Sequence, residues 1–176
     1  MKNKLLPLLV LICFHNFAFS QSQYEISDDT KHPGTKVLKG IINKNLLSSD
    51  TAFKWYAESR KIYNNPDTAV TGAFERNRKT ASFVIFGGTW CDDTQFILPK
   101  FFKLQEITAF PDDRITFFGV NRDKQTLGNI AAAMNITNVP TIIVMKNGIE
   151  VGRVVEYGKT GKWDKELADI LNSPLK

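Results

Sequence analysis

The stretch SFVIFGG, Ser82 to Gly88, limits what this chain can fold into more than any other. It is an unbroken apolar run of strand length, bounded by glycines. Such a run suits a strand buried on both faces of a sheet, and that strand needs other elements packed on each side. It leads through Thr89, Trp90 and Cys91 into TQFILPKFFKLQEITA, where Phe96, Leu98, Phe101, Phe102 and Leu104 recur at helical spacing from Thr94 to Ala109. A strand that turns sharply into a helix at a cysteine is the nucleus of this reading.

The segments downstream extend the pattern. ITFFGVN, Ile115 to Asn121, is a second buried strand. Asp123 can cap a helix from Lys124 to Asn135. TIIVM, Thr141 to Met145, and IEVGRVV, Ile149 to Val155, flank KNG, in which Asn147-Gly148 is a strong hairpin signal. TGKWDKELADIL, Thr160 to Leu171, closes the chain with an amphipathic helix. The order is strand, helix, strand, helix, hairpin, helix. It predicts an α/β domain over residues 80–176 with a mixed sheet flanked by helices.

Upstream, Gln21 to Thr35 is polar, holds Pro33 and Gly34, and reads as a flexible lead-in over residues 21–35. Residues 36–79 read as a helical extension. Val37, Leu38, Ile41, Ile42 and Leu46 fall on one helical face. Ser49 or Asp50 can cap a second helix carrying Phe53, Tyr56, Arg60 and Tyr63. NNPD, Asn64 to Asp67, breaks it.

The first twenty residues stand apart. Lys2 and Lys4 precede the short apolar run Leu5 to Phe14, and Ala18-Phe19-Ser20 offers a cleavage site before Gln21. The run is shorter than the roughly 20 apolar residues of a spanning helix. Residues 1–20 are therefore expected to be a cleaved secretory signal, which places the protein in the periplasm or outside the cell without stable membrane insertion. Cleavage removes Cys13 and leaves Cys91 as the single cysteine, so no internal disulfide can form. The whole chain is 43% hydrophobic and 23% charged, which is ordinary for a globular protein. The net charge of +5 is mild and unclustered, which fits a solvated surface better than a nucleic-acid partner.

The residues around Cys91 resemble the thioredoxin superfamily. TWCDDTQFILP matches the family's strand-to-helix active-site turn, with Trp90 before the cysteine and Pro99 eight residues after it. NVPTIIVMKNG matches its second signature, which puts Pro140 at the family's cis-proline. The nearest likeness is to secreted bacterial thioredoxin-like proteins with a Trp-Cys-x-Asp core. The resemblance covers about residues 80–172 and implies a thioredoxin-like fold. Two departures bear on function. Thr94 stands where the family has its resolving cysteine. Ile85 stands where a buried acid often helps to deprotonate that second thiol.

A cysteine at a helix N-terminus faces unpaired amides and the positive end of the helix dipole, which favour the thiolate. Asp92 and Asp93 oppose this if ionised, or serve as ordinary first-turn acids, or shuttle protons to a leaving thiol. Thr94, three residues on, lies on the same helix face and is expected to donate its hydroxyl to the sulfur. Within the resemblance, Val139 and Pro140 lie beside Cys91 and offer backbone to an extended substrate, and Trp90 flanks the thiol as an apolar contact. Phe83, Phe86, Phe117 and Phe118 are expected in the core.

One thiol can form a mixed disulfide but cannot resolve it internally. The expected function is monothiol thiol-disulfide exchange on protein or low-molecular-weight disulfides, with release by an external thiol. The alternatives are a non-catalytic binding or chaperone module on the same fold and, further off, a thiol peroxidase. No cofactor is expected. One His and one Cys fall short of a metal ligand set.

Overall fold

The computed structural model of the protein describes residues 22–174. The expected signal segment, with Cys13, lies outside the described residues.

Six strands form one mixed sheet in the order β1-β2-β4-β3-β5-β6. The central strand, β3 (Ala81–Gly87), runs parallel to β4 (Ile115–Gly119) on one side and antiparallel to β5 (Thr141–Lys146) on the other. Strand β5 turns through Asn147 and Gly148, both at positive φ, into β6 (Ile149–Val155), as the hairpin signal required. The apolar run reads as a buried strand because successive residues serve different layers. Phe83 and Ile85 point into the larger core with Ile142 and Val144. Phe86 points to the opposite face with Ile143 and Val139.

The larger core lies under helices α2 (Lys54–Lys61), α3 (Thr68–Asn77), α4 (Asp92–Ile107) and α6 (Trp163–Asn172). Phe74, Phe83, Phe101 and Phe110 meet there with ring centroids 4.8–6.1 Å apart. Each fully buried phenylalanine contributes roughly 1.5–3 kcal/mol relative to exposure. The second face carries a smaller cluster under the short helix α5 (Ile130–Ala133). The expected helix from Lys124 to Asn135 is thus reduced to one turn. Lys124, Gly128 and Asn135 all have positive φ, which breaks the run at both ends.

The N-terminal third departs from expectation. The lead-in contains a strand, β1 (Tyr24–Asp28), and residues Lys36–Ile42 form strand β2 rather than the start of a helix. Strand β2 is antiparallel to β1 on one side and to β4 on the other. Its apolar residues satisfy helical spacing, but Val37, Ile41 and Ile42 are β-branched and suit a pleated surface. Gly40 decides the matter locally. A Cβ there would lie 2.4 Å from the Gln23 backbone carbonyl, so the close approach of the chain entering β1 requires glycine. Helical structure begins only at α1 (Lys44–Ser49), capped by Asn43, and continues through a 3-10 turn capped by Asp50 into α2.

Candidate active site

The candidate site lies where the parallel strands β3 and β4 end. Helix α4 begins at Asp92, and Cys91 is its N-cap residue, with the Cys91 N–H donating to the Gly88 carbonyl at 2.9 Å. Cys91 is half-buried and is the free cysteine among the described residues. Its Sγ donates to the Val139 carbonyl at 3.2 Å, and the Val139-Pro140 peptide bond is cis. The two signatures, 48 residues apart, therefore meet at the sulfur. Pro99 lies inside α4 and is buried.

Trp90 packs beside the thiol on the second-face core. Its Nε1–H donates to the Val120 carbonyl at 2.9 Å, just past the end of β4. The ring sits against Gly88 so closely that a Cβ there would be 2.5 Å from Trp90 Cε2. The Arg122 guanidinium lies over the indole face, 4.6 Å from the ring centroid.

Thr94 does not reach the sulfur in the way expected. It is 1% exposed, and its Oγ1 accepts the Gly88 N–H at 3.3 Å, so it braces the turn before the cysteine. No hydrogen bond joins Thr94 to Cys91 among the described residues. Ile85, at the position of the family's acid, is fully buried between Phe117 and Ile142.

Asp92 and Asp93 occupy the first turn of α4 and line a cleft of about 320 Å³ with Cys91, Trp90, His32 and Arg122. Beyond Asp93, the Tyr157 phenol is held above its usual range, first by burial and then by the Asp93 charge. Tyr157 packs with its ring tilted against Phe96, centroids 5.8 Å apart, and Phe96 is exposed despite its place in the helical apolar pattern.

The residues that sequence reasoning missed come from the N-terminal segment and from the loop after β4. Asp29 is 3% exposed and receives both Arg122 Nε and Nη2, the latter at 2.6 Å. The Asp29 N–H closes the following loop on the Thr35 carbonyl at 2.8 Å, and this loop carries His32 into the cleft. Thr89 makes a second tie to the extension. Its hydroxyl donates to the Lys36 carbonyl at 2.9 Å and accepts the Leu38 N–H at 3.2 Å, while the Thr89 carbonyl accepts from Gln95. A signal for Arg122 exists in the register. Gly87 pairs with Gly119 in the parallel ladder, so Trp90 and Arg122 each stand three residues beyond a paired glycine and emerge side by side.

The thioredoxin family model matches residues 69–171, more than half of the chain. The chain belongs to the thioredoxin family. It is 39% identical over 90 residues to a thioredoxin of Mycoplasma genitalium, a match spanning 51% of this chain and 78% of that protein. It is 32% identical over 88 residues to a thioredoxin of Mycolicibacterium smegmatis, spanning 50% and 76%. It is also 32% identical over 76 residues to a thioredoxin-like protein of Acanthamoeba polyphaga mimivirus, where the match spans 53% of the relative. Among solved structures, a Pseudomonas aeruginosa protein of unknown function shares the fold with TM-score 0.51 at 18% identity, over 72% of this chain and 87% of the other. The thioredoxin match begins within α3, so β1, β2, α1 and α2 are built from residues before it.

Among the described residues no helix is long and apolar enough to cross a membrane, and no group of three or more His, Cys, Asp or Glu side chains is placed to hold a metal ion.

Proposed function

We propose that this thioredoxin-family protein performs monothiol thiol-disulfide exchange through Cys91, outside the cytoplasm after loss of residues 1–20. The observation that carries the reading is a half-buried cysteine, the one cysteine among the described residues, at the α4 N-terminus against the Val139 carbonyl, with Thr94 at the position three residues on. The thioredoxins of Mycoplasma genitalium and Mycolicibacterium smegmatis support thiol redox chemistry as the general class.

The exchange balances without a second cysteine in the chain. The Cys91 thiolate attacks one sulfur of a disulfide, forms a Cys91 mixed disulfide and expels the other sulfur as a thiolate, which takes up a proton. An external thiolate, from the substrate or from a small molecule, then attacks the substrate sulfur of that mixed disulfide. Cys91 leaves as the thiolate and a new disulfide forms between substrate and external thiol. Asp92 and Asp93 line the cleft where the expelled thiolate takes its proton. The backbone at Val139 and Pro140 and the Trp90 ring offer an extended chain its contacts.

The test is a disulfide substrate mixed with the purified protein and analysed by intact-mass spectrometry. A Cys91-linked adduct that an added thiol releases is expected, with none in Cys91→Ser. A Cys91 that is inert to both disulfide and alkylating agent overturns the reading and leaves a thioredoxin-fold binding module. Peroxide consumption with an external reductant, absent any disulfide adduct, would instead indicate a thiol peroxidase.

A further inference from the structure

A concavity of the described surface shares no residue with the Cys91 cleft. A groove of about 510 Å³ runs between α1, α2 and α4, lined by Lys44, Arg60, Lys61 and Lys103 over a floor formed by Tyr56, with Glu106 as its carboxylate. Most of this lining comes from residues before the thioredoxin match; α4 supplies Lys103 and Glu106.

The cations are not equally satisfied. Arg60 Nη2 pairs with Glu106 at 2.6 Å, and Lys44 pairs with Asp112 at 2.7 Å and with Glu106 at 3.7 Å. Two carboxylates thus offset two cations. Lys103 Nζ donates only to neutral acceptors, the Arg60 carbonyl at 3.0 Å and Asn64 Oδ1 at 2.8 Å. Among the described residues that leaves one of its three N–H groups and its whole charge uncompensated. Lys61, exposed in the last turn of α2, has no carboxylate within ion-pair distance among the described residues.

We propose that this groove binds a small phosphate-bearing anion, with Lys61 and Lys103 as its charged contacts. Two ammonium groups lining one groove, neither paired with a carboxylate among the described residues, suit a multiply charged head better than a single carboxylate, and each can make a charge-assisted hydrogen bond to a phosphoryl oxygen. Glu106 keeps Arg60 and Lys44 in place at the groove wall. The Tyr56 ring is buried beneath the Arg60 guanidinium, which lies 5.7 Å from its centroid, and closes the floor of the groove.

Inorganic pyrophosphate is the probe, titrated into the protein at constant ionic strength while backbone amide shifts are followed by NMR. Saturable shifts confined to the end of α2 and the middle of α4 are expected. Binding should weaken about tenfold in Lys61→Gln and in Lys103→Gln, the loss of one charged contact. Lys61 is exposed, so its variant reports on binding even if Lys103→Gln loosens the α2 to α4 packing. Citrate at the same ionic strength should bind more weakly. Three results would overturn the proposal: no saturation in the millimolar range, binding as tight in Lys61→Gln as in the parent (an adventitious ion only), or citrate matching pyrophosphate. The Cys91 alkylation rate serves as an independent reading, since this groove and the exchange site share no residue.

Discussion

The Cys91 sulfur donates to the Val139 carbonyl across 3.2 Å, and this contact joins the start of α4 to the segment that enters β5. Serine keeps a donor at the same place. Cys91→Ser is therefore expected to fold with stability within about 1 kcal/mol of the parent, as for substitutions that retain packing and hydrogen bonding. The same variant should form no adduct with disulfides. Thermal melts and intact mass, measured on one sample, separate the two effects.

Arg122 holds the Asp29 carboxyl at about 2, below its ordinary 3.8. A carboxyl whose folded value is depressed stabilises the fold above its unfolded value, and that contribution is lost as pH falls through the folded value. The loss should fall between pH about 4 and about 2. Denaturant midpoints of Asp29→Asn are expected to be lower at neutral pH and to change less across that window. Arg122→Met, which strands a buried carboxylate, should cost more than Asp29→Asn.

Gly88→Ala places a Cβ 2.5 Å from the Trp90 ring. The indole must shift and its bond to the Val120 carbonyl must lengthen. Overpacking of this kind typically costs about 1–3 kcal/mol. The expected signature is a lower melting temperature with a changed tryptophan emission and a slower Cys91 alkylation, since the ring flanks the thiol.

Lys100 is 4% exposed, and its amine has no hydrogen-bond partner in the described structure; it sits over the Phe96 ring. Burial alone pulls its ammonium down to about 8 from 10.5. The folded state thus binds its proton less tightly than the unfolded state. The penalty is complete below about pH 8 and is relieved as pH rises toward the unfolded value. Lys100→Met should be more stable at neutral pH by about 1–3 kcal/mol, the usual cost of an unpaired buried polar group. It should also lose the parent's gain in stability between pH 8 and 10.5.

Thr94→Cys restores a thiol three residues after Cys91. An internal disulfide is expected on oxidation, seen as the loss of two hydrogens by mass, together with catalysis of disulfide reduction by an added dithiol. The Gly88 N–H would lose its oxygen acceptor, at a cost of about 1 kcal/mol. Formation of the disulfide without reductase activity would point to Ile85, or to the acidic pair Asp92 and Asp93, as the further limit.

The parts of the fold that were legible in sequence are those whose pattern is local. The run before Cys91 is uniformly apolar and closed by glycines, and Asn147-Gly148 announces its hairpin. Strand β2 was read as helix because Val37, Leu38, Ile41 and Ile42 sit at spacings both structures allow, and a strand paired on both sides need not alternate. The site was half legible for a related reason. Cys91, Trp90 and Pro140 belong to motifs, whereas the Asp29–Arg122 pair joins residues 93 positions apart and leaves no trace in either neighbourhood. Lys100 gave no sign of burial, since a lysine between Pro99 and Phe101 reads as the wet side of a helix. Phe96 gave the opposite false sign.

The thioredoxin match starts at residue 69, yet one wall of the Cys91 cleft starts at Asp29. Trimming the protein to its recognisable portion would remove His32, leave Arg122 without its counter-ion and deprive the Thr89 hydroxyl of both backbone partners on β2. The piece that must be made whole for the Cys91 site to be assayed is therefore larger than the unit that homology outlines.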